Sequence, residues 1–129
     1  MTQALQTALI LLLLLQVKHL LADYFWQTPR MLRDRGRFWH LGRLHHAFLH
    51  AAFSAIIFLA LGAPLIFSLL LGLAEWAAHY LIDFAKGWHA ESHPQGPEEP
   101  GFWRAFGTDQ LAHQLTYLAM IWAWASLAV

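Results

Sequence analysis

The residues able to do chemistry recur at one interval. His19 and Asp23, His46 and His50, Glu75, His79 and Asp83, and Asp109 and His113 stand four positions apart. In a helix of 3.6 residues per turn, positions i and i+4 differ by only about 40° around the axis, so each set shares a face. Imidazole nitrogens and carboxylate oxygens on converging faces form a ligand shell suited to Zn, Fe, Mn or Ni, whereas Ca and Mg prefer all-oxygen shells. The groups outnumber one tetrahedral shell. They leave room for one or two ions, for carboxylates that orient imidazoles, or for a general base. The pattern predicts His19, Asp23, His46, His50, His79, Asp83 and His113 as metal ligands, with Glu75 or Asp109 as the base acting on a bound water. Lys86 is placed to meet a phosphate or lipid headgroup, together with the arginines between 28 and 43. Gln27 and Gln110 join Lys86 as the expected substrate contacts.

These residues need scaffolding, and the composition says what kind. Hydrophobic residues make up 58% of the 129 positions and charged residues 12%, against about 45–50% and about 25% in a soluble domain. Too little polar surface remains to face water all round, so lipid must cover part of the chain. The length suits one domain, 1–129. No cysteine is present, which excludes disulfides and thiolate ligands, and a formal net charge of zero argues against nucleic acid as a partner.

Four stretches, about 4–27, 38–61, 64–88 and 102–127, are long enough to span a hydrocarbon layer at about 20 residues each. The fold expected is an all-α, four-transmembrane-helix antiparallel bundle. Gly62-Ala63-Pro64 makes a tight turn between the second and third helices, while 89–101, with three prolines, reads as an exposed loop. The apolar run 8–15 resembles a secretory signal, but no Lys or Arg precedes it and Asp23-Tyr24-Phe25-Trp26 replaces a small-residue cleavage site. It is expected to be a retained helix.

Along this up-down path every Lys, Arg, Asp, Glu and His falls in the same half of the bundle. The positive-inside rule then places the polar His/Asp/Glu cluster on the cytoplasmic side and both termini outside. Glu75 follows a charge-free stretch, 65–74, of only about 15 Å. It is therefore expected near mid-membrane, where an unpaired carboxylate costs about 2.5–3.5 kcal/mol or more. Helix-end polar groups can snorkel to the headgroups, but snorkelling explains neither that depth nor the shared phase on four helices. His40, His89 and His93 lie off the stripes and are expected at the surface. His45 stands about 100° from His46, and Trp26, Trp39, Trp88 and Trp103 fit an interfacial belt.

The runs His19-Leu-Leu-Ala-Asp23-Tyr-Phe-Trp-Gln27-Thr28, His79-Tyr-Leu-Ile-Asp83-Phe-Ala-Lys86 and Asp109-Gln110-Leu-Ala-His113 resemble the bacterial membrane family catalogued as domain of unknown function 3307. His46 falls where that family has a histidine at the start of its second helix. The resemblance covers nearly the whole chain and implies His19, Asp23, Gln27, His46, His79, Asp83, Lys86, Asp109, Gln110 and His113 as signature positions. It also implies a bacterial inner (plasma) membrane location. It implies no activity.

The leading functional expectation is a metal-dependent hydrolase acting at the cytoplasmic face on a lipid-linked or phosphorylated substrate, with Zn, Mn or Fe as cofactor. The alternatives are a non-catalytic metal-binding, transport or accessory protein, and a haem or di-iron redox protein. Transport is disfavoured because the outer half carries no polar groups for alternating access. A ferritin-type di-iron site is disfavoured because its Glu-x-x-His spacing is missing. Membrane lipid is the expected partner, and homo-oligomerisation stays open.

Overall fold

The computed structural model describes residues 2–127, which contain helices and no strand. Four long helices, α1 (Gln3–Tyr24), α3 (Leu41–Ala60), α4 (Leu65–Ser92) and α5 (Pro100–Leu127), are joined by loops and by one short helix, α2 (Pro29–Leu32). α3 packs against α4 and α1, and α5 closes the ring against α4 and α1. The diagonal pairs, α1 with α4 and α3 with α5, meet only through side chains, so four helix faces look onto one shared axis.

Each inward face is a stripe of residues three or four apart. On α4 it runs Ser68, Gly72, Glu75, His79, Asp83, Gly87; on α3 the stripe includes His46, His50, Ser54 and Phe58. Small residues set the α3–α4 spacing. A Cβ on Gly72 would lie 3.1 Å from the carbonyl oxygen of Ala51 and 3.3 Å from Ala55 Cβ, so only glycine permits this approach without displacement. The outward faces are leucine, isoleucine and tryptophan, including Leu13, Leu70 and Trp122.

Three helices, α1, α3 and α4, are long and apolar enough to cross a membrane. α5 has the length but not the mean hydropathy. Asp109, His113 and Tyr117 lower its average while lying buried on its inner face, and Leu111, Leu115, Leu118 and Trp122 form the outer one. Averaging around a helix hides this division.

The interior has two parts. Near the termini and the α3–α4 turn, Leu11, Leu15, Phe58, Met120, Ile121 and Trp124 form an apolar core, with Tyr117 at its upper edge. The turn is closed by Gly62 at φ +89° and by the bond from Ala63 N to Phe58 O at 3.0 Å, a left-handed helix stop. The other part is polar and lies towards the α1–α3 and α4–α5 connections.

The connections are more ordered than the sequence suggests. Thr28 caps α2 by accepting from Met31 N at 3.4 Å, and Pro29 opens that helix where its missing N–H costs nothing. Arg43 is buried, and its guanidinium donates to the carbonyls of Arg35, Arg37 and Phe38, gathering the basic loop onto the start of α3. α4 runs past the expected end at 88 to Ser92, where Ser92 Oγ donates to Trp88 O at 2.8 Å. α5 begins at Pro100 rather than 102. The irregular stretch is thus shorter than 89–101.

Candidate metal centre

Where the four polar stripes meet, two carboxylates collect the imidazoles. Asp23 on α1 receives His50 Nε2 at 2.9 Å, His46 Nε2 at 3.1 Å and His19 Nε2 at 3.2 Å. Asp83 on α4 lies 3.4 Å from His113 Nε2, 3.5 Å from His79 Nε2 and 3.7 Å from His46 Nε2. The imidazoles form one layer: His79 sits between His50 and His113, with ring centroids 3.8 and 4.1 Å away. All five imidazoles are buried, while the Asp23 and Asp83 side chains keep 12% and 9% of their exposure. These carboxylates form the edge of the cluster that water can reach.

Beneath this layer lies a pair the spacing rule did not anticipate. Lys18 Nζ donates to Glu75 Oε1 at 2.5 Å, to Tyr117 Oη at 3.2 Å and to His50 Nδ1 at 3.3 Å. An ammonium has three donors and no acceptor, so all three are used, with the His50 carbonyl at 3.4 Å as a fourth, longer acceptor. Proton positions propagate from there. His50 Nδ1 must accept, which leaves its N–H on Nε2, aimed at Asp23. Tyr117 Oη accepts from Lys18, and we assign its own proton to His19 Nδ1 at 2.8 Å, a much shorter contact than the 3.5 Å to His50 Nδ1. That leaves the His19 N–H on Nε2, facing Gln110 Oε1 at 3.2 Å and Asp23. One lysine sets the tautomers of two histidines, and both present N–H to the same carboxylate.

The rest of the layer is unsatisfied. Both ring nitrogens of His79, Nδ1 of His46, Nε2 of His113, Oδ2 of Asp83 and Oδ1 of Asp109 are buried with no hydrogen-bond partner among the described residues. Leaving a buried polar group unpaired costs about 1–3 kcal/mol, and here several do so within one cluster. Two groups have ligand atoms within 4.8 Å of one another: Asp23, His46, His50 and His79, and His79, Asp83 and His113. A tetrahedral ion with bonds of about 2.0–2.1 Å needs ligand atoms roughly 3.3–3.5 Å apart, so the sets need only side-chain adjustment to close. The donors fit a nitrogen/oxygen-liganded transition ion. The buried His/Asp groups could hold a metal ion, and His79, common to both sets, has two nitrogens to offer.

The other candidates fall around this centre. Asp109 lies 3.6 Å from His113 Nε2 through Oδ1, while its Oδ2 accepts from Lys86 at 2.9 Å and from Gln110 at 3.2 Å. Gln27 Nε2 is 3.4 Å from His46 Nε2. Glu75 is brought to the bundle axis but is tied to Lys18 rather than to an imidazole. His40 caps α3, accepting from Arg43 N at 2.8 Å, and His45, His89 and His93 are exposed. The residues missed were Lys18, as partner of Glu75, and Tyr117. Tyr117 extends the Asp109, His113 stripe by another four positions, and only its being neither histidine nor acid hid it.

Neither the curated proteins nor the solved structures contain a match to this chain. A family model does match, over residues 9–129, and its description is a protein of unknown function, DUF3307. That span contains every residue of the centre just described, and the chain belongs to this family.

Proposed function

We propose that the chain is a polytopic membrane protein whose interior centre binds one or two divalent transition ions and supports hydrolysis of a lipid-linked or phosphorylated substrate at the cytoplasmic face. The observation that carries the metal reading is His79: both its nitrogens are buried and unpaired, among imidazoles and carboxylates of the other helices. A core histidine serving packing alone would have a partner for at least one nitrogen.

The shell is best drawn from Asp23, His46, His79, Asp83 and His113. His19 and His50 hold Asp23 through their Nε2–H groups, the orienting role that metal-site partners commonly play. When bound, the ion would supply a water of lowered pKa and a Lewis acid. The residues supply the rest: Asp23 and Asp83 keep the water-accessible edge, and Asp109 stands beside His113 as the nearest further carboxylate for proton transfer. Glu75 is the weaker candidate for base, since Lys18 occupies it. Lys86, Gln27 and Gln110 border the centre and would meet substrate.

α5 is taken to cross the membrane with the other three long helices, because from Leu111 onward its outer face carries Leu111, Leu115, Leu118 and Trp122. The excess of Lys and Arg at one end then sets the orientation, with both termini outside. A non-catalytic metal protein is the second reading, favoured by the deep burial of the imidazoles. Transport is the least supported, because the apolar core fills the outer half.

Elemental analysis of the detergent-purified protein, beside the His79→Ala/Asp83→Asn variant, tests the centre. Stoichiometric metal in the wild type and its loss in the variant are expected. Metal-free protein whose thermal stability ignores added Zn and Mn would remove the proposal. Hydrolysis of phosphorylated amphiphiles that survives full chelation would remove its catalytic part.

A further inference from the structure

Between the end of α4 and the start of α5 a side groove of about 650 Å³ opens away from the bundle axis. Its polarity is graded along its length. Ile82 and Ala112 line the end nearer mid-bundle, while Lys86, His89, His93 and Arg104 line the end nearer the α4–α5 loop. Asp109 forms part of the wall, and its carboxylate is the link to His113 and the centre behind it.

We propose that this groove seats a phosphate-headed lipid, acyl chain along Ile82 and Ala112 and phosphate against Arg104 and Lys86, and that this is the substrate class presented to the metal centre. The last clause rests on the hydrolase reading; the binding does not. Three observations carry it. First, the gradient runs the right way for an amphiphile, with the apolar end towards the membrane interior and the cations towards its surface. Second, the charge is free to act: Asp109 is matched by Lys86, whereas the Arg104 guanidinium makes no ion pair among the described residues. A guanidinium presents a planar fork that matches phosphate oxygens, and the exposed imidazoles of His89 and His93, stacked 4.7 Å apart, add donors at the same end. Third, Lys86 contacts both groove and Asp109, so a phosphate drawing Lys86 towards itself would free the Asp109 carboxylate beside His113.

The arginine-lined cleft of the α1–α3 connection, with Arg30, Arg33 and Arg37, offers more charge. Its lining, which includes Trp39 and Leu41, contains no residue of the centre, which makes it the natural control. Native mass spectrometry of the full chain with dioleoyl phosphatidic acid, dioleoyl phosphatidylcholine or inorganic phosphate gives the test. Phosphatidic acid should be retained about tenfold better than phosphatidylcholine, as expected for a charge-assisted bidentate contact. Arg104→Ala should erase most of that preference, Arg104→Lys should keep part of it, and Ala105→Phe should narrow the groove and lower retention. His79→Ala should leave lipid retention intact while removing metal, so failure of the groove and failure of the centre are read separately. Loss of the preference in Arg30→Ala/Arg33→Ala instead of Arg104→Ala would overturn the proposal. So would inorganic phosphate at millimolar concentration displacing the lipid fully, which would identify a free-phosphate site.

Discussion

The two polar layers inside the bundle are built from similar residues and are satisfied to different degrees. In the lower layer each Lys18 donor has a partner, Glu75, Tyr117 or His50, and the atoms left over are an acceptor oxygen of Glu75 and the hydroxyl of Ser54. In the upper layer, one turn nearer the loops, both nitrogens of His79 and an oxygen of Asp83 have none. Burial alone does not explain this, because the imidazoles of the upper layer are as buried as Lys18 and Glu75. The difference separates a layer organised around a charge pair from one whose donors and acceptors are largely left over. A matched charge pair is a structural answer to burial in an apolar bundle. A set of unmatched donors and acceptors is a cost that a ligand would relieve.

The largest effect should come from breaking the lower layer. Lys18→Met leaves the Glu75 carboxylate buried without its cation, and removing one partner of a buried pair typically costs about 3–5 kcal/mol. The double variant Lys18→Met/Glu75→Leu should regain most of this stability in thermal unfolding, since well-packed apolar residues often replace a buried pair without loss. If Lys18→Met alone is as stable as wild type, the pair is not structural and the contrast collapses.

The upper layer should respond in the opposite sense. His79→Phe keeps a planar ring, slightly larger than imidazole, and removes two unpaired nitrogens, so the metal-free protein should be about as stable as wild type or more so. Stabilisation on adding Zn or Mn should vanish; for wild type at a metal concentration of 100 Kd it is about 2.7 kcal/mol. Isothermal titration and thermal melts of the two proteins compare these directly. A metal-free His79→Phe protein several kcal/mol weaker than wild type would mean that His79 is an ordinary packing residue.

A smaller effect is expected where the two layers touch. Asp23→Asn retains shape but loses the charge that gathers His19, His46 and His50. Metal affinity should fall at least as far as the roughly 10- to 100-fold that loss of an orienting partner costs, because Asp23 is itself a proposed ligand, with little change in the stability of the metal-free chain. Equal affinity in the variant would remove Asp23 from the centre.

How much of this was legible beforehand follows from what spacing can encode. The i, i+4 rule places His19, Asp23, His46, His50, His79, Asp83, Asp109 and His113 on inward faces because the period of a helix is fixed by its backbone. It cannot say which group on one helix meets which on another. That depends on the height of each residue along the axis, so Glu75 looked like a member of the site until Lys18 stood beside it. Averaged hydropathy leaves α5 out of the candidate spans for a related reason, since its inward polar stripe and outward apolar face cancel. The ends of α4 and α5 were misplaced by a few residues because local bonds such as Ser92 to Trp88 extend a helix into a polar stretch that composition reads as loop.

The smallest predicted effect is also the sharpest test of how the layers communicate. Tyr117→Phe removes one hydroxyl that accepts from Lys18 and donates to His19. By hydrogen-bond count the stability loss should be about 1 kcal/mol. Its consequence for His19 differs in kind, because without that donor Nδ1 is free to carry the proton. His19 can then take the other tautomer and present a bare Nε2 to Asp23, two acceptors facing each other. The Asp23 carboxylate would lose one of the N–H groups that orient it, and metal affinity should drop several-fold even though the Tyr117 hydroxyl bonds only Lys18, His19 and His50 among the described residues, none of the five in the proposed shell. Nitrogen-15 chemical shifts of the histidine side chains report the tautomer, and titration reports the affinity. A change in stability with neither a tautomer shift nor a loss of affinity would show that the lower layer supports the bundle without instructing the centre above it.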